Sequence, residues 1–288
     1  MAIRLGVQLF SLRDEMKADP VGALRKTLEL GYRYLEPLND QADRDPGLGC
    51  GVSDETLADL RASHGAGLCG AHMSPLSPEA VPAIAARQRA LGNRNIVKGF
   101  MLCTGYDPLM RSCEELNRIG RGLVEHDMNP LLYHNHYHEF QLLDGKEVLY
   151  HIAENTDPAY LRFELDVAWA KRAGRDPLRE MAYFGERLRL LHIKDFARTP
   201  VNMLTGKRAL IDGETFGVVP ASDDADAAGS GEIVPMGTGI MPLQAIIDKA
   251  IELDVEFAIL EQGGATGDVF DNLRISLENM KKIKGVCL

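Results

Sequence analysis

Four short apolar runs in the second half of the chain each end on side chains that can hold a cation or move a proton. They end as Tyr133-His134-Asn135-His136, Glu164-Leu165-Asp166, His192-Ile193-Lys194-Asp195 and Leu260-Glu261-Gln262. A single imidazole or carboxylate in such a place is most often a hydrogen-bonded structural group or a helix cap. Acid and imidazole groups at the ends of successive strands differ, because burying them together without a cation is costly. Two imidazoles and two carboxylates make a mixed nitrogen and oxygen donor set without thiolate, suited to Mn²⁺, Co²⁺, Fe²⁺, Mg²⁺ or Zn²⁺.

Other groups belong with them. His136 has the same strand parity as His134 and can act as a substitute ligand or as a general base. Glu36 and His72 close the second and third apolar runs, and Lys98 lies on the fourth. Lys194 follows His192 by two positions, where an ammonium can stabilise an enolate oxygen or grip an anion. Glu139 and Arg198 fall just beyond strand ends, within reach of substrate hydroxyls. Trp169, the single tryptophan, can wall a sugar ring.

Placing these groups together requires a regular scaffold. Apolar, β-branched runs at 5–10, 32–38, 68–72, 96–102, 130–136, 161–167, 190–194 and 257–261 alternate with amphipathic stretches. Helices are expected at 20–30, from 53, and at 78–91, 109–126, 147–155, 177–188, 242–253 and 269–284. Asp19, Pro20 and Gly31 are well chosen as cap, first residue and stop of the first helix. Near-continuous apolar strands separated by helices predict a buried parallel sheet, and eight units predict closure into a (β/α)₈ TIM barrel as one domain over 1–288. No GxGxxG follows the first strand, which argues against a dinucleotide fold. Residues 197–239 break the rhythm and predict a long loop or lid at the C-terminal mouth, where barrels build active sites.

The formal net charge of −10 argues against nucleic acid as a partner. No apolar run reaches the length of a membrane span. The five cysteines are scattered, and with the absence of a signal-like start they predict reduced thiols in a cytoplasmic protein.

The chain resembles the xylose isomerase-like TIM barrel superfamily, in particular its sugar phosphate isomerase/epimerase family. The resemblance spans nearly the whole length. It rests on Gly6-Val7-Gln8-Leu9-Phe10-Ser11-Leu12-Arg13, Tyr133-His134-Asn135-His136, Leu165-Asp166-Val167-Ala168-Trp169, His192-Ile193-Lys194-Asp195 and Val234-Pro235-Met236-Gly237-Thr238-Gly239. It implies one divalent metal ion, Mn²⁺ foremost with Mg²⁺, Co²⁺, Fe²⁺ or Zn²⁺ as alternatives. It also implies His134, Asp166, His192 and Glu261 as the ligands. His134 stands where the family more often has Glu, which weakens a symmetric two-glutamate epimerisation. The implied activity is isomerisation or epimerisation of a sugar or keto-sugar through a metal-bound enediolate. Glu261 is then ligand and base, His136 or Glu36 a second proton carrier, and Lys194 an oxyanion stabiliser. The alternatives are a lyase, such as a keto-inositol dehydratase or a keto-glycoside deglycosidase, and a non-catalytic sugar-binding barrel. A sugar or polyol is the expected partner, and a homo-oligomer is compatible with the resemblance.

Overall fold

The computed structural model describes residues 2–99, 101, 105–202, 204 and 233–288. Eight parallel strands form its centre. They are β1 (Ile3–Gln8), β2 (Tyr34–Glu36, resuming as Leu38–Asn39), β3 (Gly67–Leu68, resuming as Ala71–Met73) and β4 (Ile96–Lys98). The second half contributes β5 (Leu131–His134), β6 (Leu161–Asp166), β7 (Leu188–Ile193) and β8 (Phe257–Leu260). Each pairs with the next, and β8 pairs with β1, so the eight close into a barrel. The break in β2 falls at Pro37, which has no N–H to give to a ladder. Its carbonyl still accepts from His72 N at 2.9 Å, so the two halves of β2 and β3 stay paired.

A helix follows each strand: α1 (Pro20–Leu30), α2 (Asp54–His64), α3 (Val81–Ala90), α4 (Tyr106–Glu125), α5 (Val148–Glu154), α6 (Pro177–Phe184), α7 (Leu243–Glu252) and α8 (Val269–Met280). The first is capped as its sequence demands: Asp19 Oδ1 accepts from Gly22 N at 2.9 Å, and Gly31 ends it at φ 116°. The strands run shorter at their mouth ends than the apolar runs suggest. At β1 the chain turns into a short 3₁₀ helix after Gln8, whose side chain accepts from Phe10 N. At β5 it turns after His134, and His136 N donates to Glu139 Oε2 at 2.9 Å. Among the described residues no helix is long and apolar enough to cross a membrane.

Alternation along the strands divides the core. Val97, Leu132, Leu190, Phe257 and Ile259 pack together inside the barrel with Cys69, while their neighbours Leu131, Tyr133, Leu191, Ile193, Ala258 and Leu260 pack outward with the helices. Side chains two residues apart share a face. Leu132, Leu190 and Ile259 therefore set the inward direction for His134, His192 and Glu261.

Of the segment 197–239, residues 203 and 205–232 lie outside the described residues. Its two ends are held together: Asp195–Phe196 pairs antiparallel with Ile233–Val234 just beyond β7. Asp195 then accepts four backbone N–H groups at 2.9 Å, from Gly237 and Gly239 on Oδ2 and from Met241 and Phe196 on Oδ1. The Gly237-Thr238-Gly239 motif is thus a turn wrapped on one carboxylate. A Cβ at Gly239 would lie 2.3 Å from Phe196 O, so a side chain is excluded there.

Candidate metal centre

At the mouth, His134, Asp166, His192 and Glu261 each place a donor atom within 4.8 Å of those of the others. Strand register explains the convergence: Asp166 pairs with His192 across β6 and β7, and His192 pairs with Ile259, two residues before Glu261. Asp166 Oδ1 caps the short helix Val167–Arg172 by accepting from Ala168 N and Trp169 N at 2.8 Å. Its Oδ2 is left to accept from Lys194 Nζ at 2.8 Å. The same ammonium lies 3.2 Å from Glu261 Oε2.

A second layer lies directly beneath. His192 sits between two carboxylates, with Nδ1 2.9 Å from Glu261 Oε2 and Nε2 2.6 Å from Glu36 Oε2. Gln8 Nε2 also donates to Glu36, at 2.9 Å. Glu36 is wholly buried, and Gly70 makes room for it: a Cβ at that position would stand 2.5 Å from Glu36 Oε1. His72 Nε2 lies 2.8 Å from Glu164 Oε2.

The donors fit a divalent ion. Four buried or half-buried carboxylates, Glu36, Glu164, Asp166 and Glu261, cluster here with one ammonium, Lys194, which pairs with Asp166 and Glu261. Such an excess of negative charge needs either a cation or charged imidazoles to be tolerated inside a protein. Glu36 Oε1, Glu164 Oε1 and His134 Nδ1 are buried and lack hydrogen-bond partners among the described residues. Burial, reinforced by His192 and His72, holds the His134 imidazole well below its usual range, in the neutral form that a metal requires. His192 is displaced the other way: burial alone would lower it, but the charges of Glu164 and Glu36 hold it well above. For Glu261, burial would raise the carboxyl, but Lys194 and the His192 hydrogen bond outweigh it and keep the group ionised.

The metal-free charge balance has a measurable consequence. Against the pull of burial, Glu36 and Glu164 raise His72 from 6.5 to about 9. Burial and the charge of Glu36 raise Glu164 from 4.5 to about 7. A raised histidine contributes its full stability below 6.5 and loses it as pH climbs through 9, and a raised carboxyl loses its contribution as pH climbs through 7. Metal-free protein should therefore become less stable between pH 6.5 and pH 9, by about 3 kcal/mol from His72. A bound divalent ion replaces the imidazolium charge and flattens the profile. Thermal melts of chelator-treated and Mn²⁺-loaded protein across that range check this, and a flat profile in both would rule it out.

Above the donors opens a cavity of about 700 Å³. Of the groups singled out in the sequence, His72, Lys98, His134, His136, Trp169, Lys194 and Glu261 line it. His136 stacks on Trp169 with ring centroids 4.9 Å apart, and Lys194 Nζ stands 4.8 Å over the same indole. Three expected groups are placed elsewhere. Glu36 lies under the donors rather than in the cavity. Glu139 is buried with both oxygens committed, one to Tyr133 Oη and one to His136 N, because the turn after β5 folds back on it. Arg198 is exposed, beyond the clasp that returns the chain at Asp195. Other groups join without having been singled out. Glu164 shares strand parity with Asp166 and was open to inference on that ground. Arg172, three residues after Trp169 on one helix face, also lines the cavity, as do Gln8, Arg13 and Asp40.

No protein-family model and no curated protein matches the chain. Solved structures do. A sugar phosphate isomerase/epimerase from Parabacteroides distasonis superposes with TM-score 0.74 at 21% identity, covering 100% of this chain and 96% of that one. A probable 3-DHS dehydratase from Bacillus anthracis gives 0.72 at 14%, covering 97% and 99%. A xylose isomerase-like TIM barrel protein from Mycobacterium smegmatis in complex with magnesium gives 0.61 at 17%, covering 98% and 95%. With eight strands closed in order and these superpositions over nearly the full length, the chain has the fold of the sugar phosphate isomerase/epimerase and xylose isomerase-like TIM barrels.

Proposed function

We propose that the protein is a divalent-metal-dependent isomerase or epimerase of a sugar or keto-sugar. The observation that carries this reading is the convergence of His134, Asp166, His192 and Glu261, of which His134 and Glu261 line a cavity bordered by His136 and Trp169. Similar folds described as a sugar phosphate isomerase/epimerase, a D-tagatose 3-epimerase-like protein and a D-allulose 3-epimerase support it. When bound by these four residues, the ion supplies Lewis-acid polarisation of a carbonyl and its neighbouring hydroxyl, which acidifies the adjacent C–H.

The side chains divide the remaining work. Glu261 borders the cavity as an ionised carboxylate and takes the proton from carbon. His136, held against Trp169 and fixed at its backbone by Glu139, returns a proton to the neighbouring carbon. Lys194 keeps its proton because Asp166 and Glu261 outweigh burial, and it donates to the oxygen on which charge develops. Glu36 is a positioning residue: by accepting from His192 Nε2 it fixes the ring so that Nδ1 points to the mouth. Lys98 lines the cavity and forms no ion pair with a described residue; burial lowers its pKa, with the charge of Glu115 pulling the other way. It binds an anionic or hydroxyl group of the substrate. Lys98→Met should raise KM about 10- to 100-fold, the scale of a lost charged hydrogen bond, and change kcat less. Equal losses in kcat and kcat/KM would instead place Lys98 in the chemical step.

Incubation of the metal-loaded protein with keto-sugars in D₂O tests the whole reading. Exchange of deuterium into the carbon next to the carbonyl, with an isomeric product, is the expected result. A second reading, elimination, is favoured by one observation: the described carboxylates lining the cavity are Asp40 and Glu261, with no second glutamate to mirror Glu261. It predicts a dehydrated, ultraviolet-absorbing product. Binding without exchange would leave a sugar-binding barrel.

A further inference from the structure

The layer beneath the mouth has the geometry of a cation cage of its own. Around Glu164 Oε2 stand His72 Nε2 at 2.8 Å, His134 Nδ1 at 3.2 Å and His192 Nε2 at 3.5 Å. Donors held ~2.0–2.2 Å from one ion at tetrahedral angles lie about 3.3 Å from one another, which these separations bracket. The four side chains come from four rigid strands, β3, β5, β6 and β7, and all four are buried. The network they form is incomplete. His134 Nδ1 makes no hydrogen bond despite its closeness to Glu164, and Glu164 Oε1 has no partner among the described residues. Glu36 Oε2, 3.5 Å from His72 Nε2, adds a second carboxylate against the cage.

We propose that His72, His134, His192 and Glu164 form a second, inner metal site that takes a four-coordinate ion of the Zn²⁺ or Co²⁺ kind. Three imidazoles and one carboxylate favour these borderline ions over Mg²⁺ or Mn²⁺, which prefer more oxygen donors. Four protein ligands and no open position are the pattern of a structural site rather than a catalytic one. His134 and His192 also belong to the outer set, so this inference rests on the mouth site proposed above. His192 presents Nδ1 toward Glu261 and Nε2 toward Glu164 and Glu36. A neutral imidazole has one lone pair for a metal, so one ion per chain binds, inside or at the mouth. The ion's preference for nitrogen or oxygen decides which.

Co²⁺ and Mn²⁺ titrations of the metal-free protein test this with variants of each layer. His72→Asn and Glu164→Gln remove inner donors; Asp166→Asn and Glu261→Gln remove outer ones. Two variants per layer, checked by circular dichroism, keep the comparison if one does not fold. In wild type one Co²⁺ per chain should give the intense visible absorption of four-coordinate cobalt. That band should disappear, and affinity fall at least tenfold, in the inner variants but persist in the outer ones. Mn²⁺ binding, followed by electron paramagnetic resonance, should show the opposite dependence. A cobalt band that follows Asp166 and Glu261, the absence of such a band, or two ions bound together would overturn the inner site as proposed. Loss of Mn²⁺ binding everywhere with the band intact would instead sink the mouth site and leave the cage standing.

Discussion

Replacing Asp166 with asparagine should strip the mouth of its Mn²⁺ and remove nearly all turnover while leaving the barrel folded. Asn is as good a helix cap as Asp, so the bonds from Ala168 N and Trp169 N survive. What is lost is one negative charge at the oxygen that faces Lys194 and the other donors. The ion then loses an anionic ligand, and Lys194 turns wholly to Glu261, competing for a second. A fall in kcat/KM of about 10³-fold or more is expected, the scale of losing a principal transition-state stabiliser. Elemental mass spectrometry after Mn²⁺ loading should find about one ion per chain in wild type and almost none in Asp166→Asn or His192→Ala. Metal content and turnover unchanged in both variants would sink the assignment of the strand-end cluster as the metal centre.

The second large effect concerns Lys194→Met. The lysine is buried with its ammonium over Trp169, and methionine fills much of the volume of the stem while deleting the ammonium. Asp166 and Glu261 are then left facing each other without the cation that now separates them. Removing one partner of a buried charge group typically destabilises by about 3–5 kcal/mol. That loss should appear in urea denaturation of metal-free protein and shrink on adding Mn²⁺, because the ion takes over the charge compensation. Turnover of the loaded variant should still fall about 10²- to 10³-fold for want of the donor at the developing oxyanion. A variant as stable as wild type without metal would mean that the lysine carries little of the electrostatic load.

Much of this architecture could be read from the residues in order. The barrel followed from eight apolar runs, and the four outer donors from their places at the ends of strands five to eight. Parity explains why those places face inward: Leu132 and His134, Leu190 and His192, and Ile259 and Glu261 are each two residues apart, so a strand that buries the first aims the second inward. What could not be read was depth. Glu36 looks like a mouth residue by position, but the interruption of β2 at Pro37 and the absence of a side chain at Gly70 let it sink beneath His192. Glu164 was visible in the same motif as Asp166, yet only its contact with His72, 2.8 Å away, shows that it belongs to the inner layer. Glu139 misled for a different reason: a turn that follows a strand can fold its polar side chain back onto its own backbone. Arg13 and Asp40 come from outside the strands, and Arg172 from the short helix after β6, whose face the strand pattern does not set.

The clasp at Asp195 ties the end of β7 to the chain that returns at Ile233. Four N–H groups fasten the departing and returning chain beside β7, so the ends of the span between Phe196 and Ile233 are held by residues that flank it. Closing a longer or shorter span between fixed ends alters the entropy only slowly, by about 0.6 kcal/mol per doubling of length. Folding stability therefore constrains the length of the chain between Phe196 and Ile233 only weakly. Lys194, one residue before the clasp, is held in place by β7 and by the turn on Asp195, which lie outside that span.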